Sequence, residues 1–288
     1  MLEVKNLAEL ETCLAKIRGE PGGVGFVPTM GNLHSGHLSL VERSKRQTGF
    51  TAVSVFVNPF QFGPDEDLGS YPRTLQADLE KLEALDTDLV FTPSVNDLYP
   101  NGLERVTRVE VPELGRILCG VHRPDFFRGV CTVVNILLNL VQPDAAFFGE
   151  KDYQQLLIIR RMVADLRMRT RIESVATSRE HDGLAMSSRN GYLDRTERLA
   201  APTLYRVLAQ TRDRVLSGET DVDGLEVDGL AELDRAGFRS DYLCVRRAAD
   251  LSAPNADDDK LRVLGAGWLG TTRLIDNLAI HAPSAGDT

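Results

Sequence analysis

Residues 23–37 read GVGFVPTMGNLHSGH. The apolar run Gly23–Pro28 predicts a short buried strand, Pro28-Thr29-Met30-Gly31 breaks it, and His37–Gln47 follows with Leu38, Val41 and Ser44 at helical spacing. The same strand–turn–helix pattern recurs outward from this stretch. Thr51–Val57 is rich in β-branched residues and stops at Asn58-Pro59, and Arg73–Asp86 carries Leu75, Leu79, Leu82 and Leu85 on one face. Asp88–Thr92 and Ala145–Phe148 read as strands, Phe127–Val141 and Tyr153–Met168 as helices, and Arg171–Thr177 as the closing strand. Such alternation predicts an α/β fold: a parallel sheet with helices on both faces. Beyond about residue 177 the pattern changes. A long helix over Arg195–Leu216 and a second over Asp223–Gly237 precede three strand-like runs, Asp241–Val245, Leu261–Leu264 and Thr272–Ala279. A first domain over 1–176 and a smaller α+β C-terminal domain over 177–288 are therefore expected, and the tail 282–288 has little to bury.

The chain has 288 residues and a formal net charge of −9, without a basic run, which argues against nucleic-acid and membrane-surface partners. An anionic ligand must then be held by a local pocket against the global field. None of the four cysteines forms a Cys-x-x-Cys pair, so buried thiols and a reducing cytoplasm are expected. The most apolar stretch, Val130–Val141, is too short to cross a bilayer and contains Asn135 and Asn139.

In open parallel sheets ligands bind beyond the carboxyl ends of the strands, so the loops there hold the candidate residues. After the first strand, Met30-Gly31-Asn32-Leu33-His34-Ser35-Gly36-His37 brings two of the five histidines within three residues at a helix opening. Unpaired N–H groups and a positive dipole end there would suit phosphate; capping histidines or a zinc pair are the rival readings. Gly149-Glu150-Lys151-Asp152 follows another strand, and Lys151 can neutralise phosphate or form a solvated pair with Asp152. Met186-Ser187-Ser188-Arg189 offers two hydroxyls and a guanidinium, or only a polar linker. Asn58 and Gln61 are neutral groups suited to a small substrate's hydroxyl and carboxylate, on a loop that could serve as a lid up to Tyr71. Of Gln154 and Gln155, one should face the pocket. Dinucleotide-binding, P-loop and Gly-x-Ser-x-Gly signatures are absent.

PTMGNLHSGH, FVNPFQFGPDEDLGSYPRT, FFGEKDYQQL and DGLAMSSRN, in this order, resemble the pantoate–β-alanine ligase (pantothenate synthetase) family of the nucleotidyltransferase superfamily. LGTTRLIDNLAI is similar to that family's last strand. The resemblance implies a Rossmann-like first domain, a C-terminal domain closing over the active site, and a cytoplasmic homodimer. It also implies an ATP-dependent, AMP-forming ligase acting through pantoyl adenylate, with pantoate, β-alanine and ATP as substrates and Mg²⁺ as cofactor. Carried over by motif, His37, His34 and Lys151 are catalytic. Met30 through His37, Gly149 through Asp152, Ser178 and Met186 through Arg189 bind ATP. Gln61, Gln155, Asn58 and Tyr71 bind pantoate or β-alanine, and Asp78 lies near Mg²⁺. The chain departs from the family at Asp125-Phe126, where Gly-His is usual, and at Ser178, where an apolar residue usually backs the adenine. Rival functions are a transferase that stops at a nucleotidylated product, a tRNA-charging enzyme and a non-catalytic nucleotide sensor. The NPFQFG and DYQQL segments separate the ligase from these.

Overall fold

The computed structural model describes residues 1–64, 66–255 and 257–281, so the tail lies outside the described residues. It divides into two compact units, one of Met1–Glu150 with Gln155–Ser178, the other of Lys151–Gln154 with the chain from Arg179 onward.

The first unit runs β1 (Leu2–Val4), α1 (Leu7–Ile17), β2 (Val24–Thr29), α2 (Ser35–Gln47), β3 (Phe50–Val55), α3 (Leu75–Ala84), β4 (Leu89–Phe91), α4 (Val95–Leu98), α5 (Cys119–His122), α6 (Phe126–Val141), β5 (Ala145–Gly149), α7 (Tyr153–Asp165) and β6 (Arg171–Val175). The first two residues of α7 group with the second unit. The six strands lie in the order β1-β4-β3-β2-β5-β6, and every pairing is parallel, as the alternation predicts. Val27, Val53, Val90 and Phe147 from the strands meet Leu40, Val41 and Leu82 from α2 and α3 in one core cluster. The chain leaves β2 toward β3 on one side and β5 toward β6 on the other. The switch point of the sheet is therefore between β2 and β5, where ligands of open parallel sheets bind.

The second unit contains α8 (Arg195–Ala200), α9 (Thr203–Leu216), α10 (Val222–Arg235) and an antiparallel sheet of β7 (Arg239–Arg247), β8 (Leu261–Leu269) and β9 (Thr272–Ile280). Leu204, Val207 and Leu208 of α9 and Leu233 of α10 pack on Leu243, Val245 and Val263 of the strands. The single helix expected over 195–216 is two helices. The Ala201 N–H still reaches the Glu197 carbonyl, but Pro202 has no N–H to continue the ladder, and α9 restarts beyond it. The strands β7 and β8 outrun the runs expected from the sequence, because cross-strand pairing carries Arg239 and Arg246 of β7 and the glycines Gly265 and Gly267 of β8 into the ladder.

Candidate active site

Leaving β2, the backbone at Gly31 (φ 80°) and Asn32 (φ 49°) is left-handed at two successive residues. A Cβ at Gly31 would also meet Asp78 Oδ2 and Val55 Cγ1 at 3.1 Å, so this position requires glycine on two counts. The turn points two N–H groups at one carboxylate: Asn32 donates to Asp78 Oδ2 at 2.8 Å and Leu33 to Oδ1 at 2.7 Å. The Thr74 hydroxyl donates to Oδ2 at 3.1 Å, and Asp78 is fully buried. Three residues along the same helix, Lys81 Nζ donates to the Leu33 carbonyl at 2.7 Å. The N–H groups of residues 32 and 33, which the sequence offers to phosphate, are thus occupied from within.

His34 caps α2. Its Nδ1 accepts the Gly36 N–H at 3.2 Å, and its own N–H reaches His37 Nδ1 at 3.4 Å. The two rings lie 4.1 Å apart, tilted by 38°. A nitrogen that accepts carries no proton, so each neutral imidazole has its hydrogen on Nε2. Capping and donation are therefore compatible here: one edge of each ring closes the helix and the other remains an N–H donor.

Asn58 is buried at the next strand end and all of its hydrogen-bonding capacity is used. Its Oδ1 accepts from the Phe60 N–H at 3.2 Å and the Tyr99 hydroxyl at 2.7 Å, while Nδ2 donates to the Gly129 carbonyl at 3.2 Å and Gln61 Oε1 at 3.1 Å. Burial pushes the Tyr99 phenol well above its usual range, which keeps it protonated as a donor. Gln61 Nε2 points the other way, 3.0 Å from Met30 Sδ. Gly129 permits this closeness, since a Cβ there would collide with the Phe60 carbonyl oxygen. Tyr71 is buried edge-on against Phe62, ring centres 5.7 Å apart. Gln154 is buried and Gln155 half-buried, so Gln155 is the more accessible of the pair.

The two departures near Arg123 have local explanations. Asp125 holds a left-handed conformation (φ 69°, ψ −10°) that favours glycine but is tolerated by Asp, and its carboxylate pairs with Arg128 at 2.7 Å. Phe126 stacks under Arg123, 3.7 Å from guanidinium carbon to ring centre. Arg123 grips Glu66 through Nε at 2.6 Å and Nη2 at 2.5 Å, tying down the far end of the Asn58–Gln61 loop.

In the second unit the Lys151 carbonyl accepts from Asn277 Nδ2 at 2.9 Å, while Asn277 Oδ1 pairs with Arg262, which stacks 3.6 Å over Tyr153. Asp276 beside it binds Arg179 through both oxygens, at 2.6 and 3.0 Å; burial raises its pKa and the Arg179 hydrogen bond opposes that. Ser187 accepts the Arg189 N–H at 3.3 Å and opens a 3-10 turn over Ser188–Tyr192. Met186, Ser187, Ser188 and Arg189 are all half-buried, as is Ser178 at the end of the first unit. Tyr99, Thr74, Lys81, Gly129 and Asn277 escape a reading of the sequence. Asp78 and Lys81 at helical spacing offered the one local signal. No cluster of three or more His, Cys, Asp or Glu able to hold a metal occurs among the described residues.

A sequence model of the family described as pantoate-beta-alanine ligase matches residues 3–279. The pantothenate synthetases of Pseudomonas entomophila (strain L48) and Pseudomonas aeruginosa (strain UCBPP-PA14) are 52% and 50% identical over 281 residues, covering 98% of this chain and 98% and 99% of theirs. A solved pantothenate synthetase from Thermus thermophilus is 45% identical with a TM-score of 0.92, over 98% of this chain and all of that one. The Francisella tularensis pantoate-beta-alanine ligase, solved with beta-gamma ATP and beta-alanine, is 33% identical with a TM-score of 0.83, over 98% and 99%. Similarity of this extent places the chain in the pantoate–β-alanine ligase family.

Proposed function

We propose that this chain condenses pantoate with β-alanine to pantothenate, splitting ATP to AMP and pyrophosphate through pantoyl adenylate. The observation that carries the reading is the family match across residues 3–279, which contains every one of the four motifs. In the first step a pantoate carboxylate oxygen bonds to the α-phosphorus as the bond to pyrophosphate breaks. In the second the β-alanine amine attacks the acyl carbon, the bond from that carbon to the AMP oxygen breaks, and the nitrogen loses a proton.

Negative charge builds on the phosphate oxygens in the first step. His34 and His37 meet it with Nε2–H donors held in place by the helix cap, and such preorganised donors contribute about 3–4 kcal/mol each. Lys151 adds a positive charge, and Met186, Ser187, Ser188 and Arg189 add hydroxyl and guanidinium donors. Met30–Ser35, Gly36, Gly149, Glu150, Asp152 and Ser178 bind the rest of the nucleotide. Gln61 and Gln155 hold pantoate, with Asn58 acting by orienting Gln61 and Tyr71 bracing the loop through Phe62. Mg²⁺ belongs to the ATP substrate, whose phosphates supply hard oxygen ligands. Asp78 does not fit as its ligand, because it is fully buried and hydrogen bonds already take both acceptor positions of Oδ2 and one of Oδ1. A cytoplasmic location accords with Cys13, Cys119, Cys131 and Cys244, which are not joined in disulfides, and a homodimer is the state the family resemblance implies.

Labelled pyrophosphate exchange into ATP tests the reading. With pantoate, Mg²⁺ and no amine, label is expected to enter ATP. Exchange that ignores pantoate, or release of ADP once β-alanine is added, would refute the adenylate.

A further inference from the structure

We infer that Asp78 and Lys81 are positioning residues that clamp the Leu33 peptide and so set His34 and His37, and that Asp78 is not a metal ligand. The inference rests on the proposed role of the two histidines. Leu33 is held at both ends of its backbone by one helix: Asp78 Oδ1 accepts its N–H at 2.7 Å and Lys81 Nζ donates to its carbonyl at 2.7 Å. Asp78 Oδ2 accepts the neighbouring Asn32 N–H at 2.8 Å, locking the peptide that follows a left-handed glycine. Residues three apart share a helix face, so α3 presents an anion to the N–H groups and a cation to the carbonyl of one short segment.

The next residue is His34. Its φ of −125° and ψ of 175° are extended, and its Nδ1 must stay over the Gly36 N–H for the ring proton to stay on Nε2. The clamp is set against the strain of the left-handed Asn32, and its loss lets the segment relax away from the helix start. The same atoms argue against a divalent cation at Asp78. Mg²⁺ needs oxygen lone pairs at about 2.0–2.1 Å in octahedral array. Two backbone N–H groups and the Thr74 hydroxyl occupy this carboxylate, which has no exposed surface. Binding a metal there would unseat the loop that carries both histidines.

The test compares Asp78→Asn, Lys81→Met and Lys81→Arg with the unaltered protein. Amide hydrogen exchange at Asn32 and Leu33 is measured in EDTA without substrates, and pantoate-dependent pyrophosphate exchange is measured across a Mg²⁺ series. Asp78→Asn keeps one acceptor but turns an NH₂ toward the second N–H. It is expected to lose protection at both amides and to lower the exchange rate by about 30-fold or more, with pantoate KM changed less than about twofold. Raising Mg²⁺ should not restore it. Lys81→Met should lower the rate by about three- to tenfold and Lys81→Arg should recover most of that, because Arg can still donate to the Leu33 carbonyl. Should Asp78→Asn fail to fold, the Lys81 pair decides on the same readouts. Unchanged amide protection with unchanged rates, or a defect that vanishes at high Mg²⁺, would overturn the clamp. Because the amide measurement uses no substrate, it stands even if unaltered protein shows no pantoate-dependent exchange, a result that would instead remove the proposed function.

Discussion

Gln61 shows how two backbone groups can dictate the polarity of a side chain proposed to bind pantoate. The Phe60 N–H and the Gly129 carbonyl fix which end of the Asn58 amide is which, and the second Nδ2 hydrogen then requires Oε1 of Gln61. Gln61 therefore turns its NH₂ end away from Asn58, toward Met30 Sδ, as a donor. Gln61→Glu places an acceptor there and should raise pantoate KM by about 100-fold while ATP KM moves little, as measured in steady-state kinetics; comparable losses for both substrates would count against this placement. Tyr99→Phe removes one bond from the same chain and should raise pantoate KM about three- to tenfold. The sequence marks Asn58 and Gln61 as chemically apt, but it hides the relay, because Tyr99 and Gly129 lie 41 and 71 residues beyond Asn58. The tautomers of His34 and His37 were hidden as well, since they depend on which N–H each ring caps.

Helix α6 contributes through closeness more than through chemistry. Its buried run from Phe127 to Val141 was legible as an apolar segment ending before Pro143. What the segment faces was not, because nothing in its own periodicity records that Gly129 touches the Phe60–Gln61 backbone. Gly129→Ala would push a methyl group against that carbonyl and is expected to destabilise by about 1–3 kcal/mol as overpacking, read as a lowered melting midpoint. Pantoate KM should rise with it, because the Asn58 anchor on the Gly129 carbonyl shifts. A variant as stable as the parent, with unaltered pantoate binding, would show that α6 has room to spare. The α8–α9 break teaches a related lesson: amphipathic spacing runs through Pro202, and only the missing N–H interrupts it. The short β1 and the one-turn helices α4 and α5 carry too few residues for a period to register.

Across the whole molecule, the parallel sheet and the change to a smaller α+β unit were readable because each depends on local periodicity. Strand order was not, since the β2–β5 switch is set by which faces pair rather than by any single segment. Long-range pinning was equally silent: Asn277 on the last strand fixes the Lys151 carbonyl from 126 residues away. A net charge of −9 means that binding three anionic partners, ATP, pantoate and the departing pyrophosphate, must rely on local donors against the global field. The defining chemical claim is that a pantoate oxygen becomes bonded to phosphorus. It is tested by running one turnover with pantoate labelled with ¹⁸O in the carboxylate and analysing the products by mass spectrometry. One labelled oxygen is expected in AMP and none in pyrophosphate, with the second retained in the pantothenate amide carbonyl. Unlabelled AMP, or label appearing in pyrophosphate or inorganic phosphate, would contradict the adenylate route.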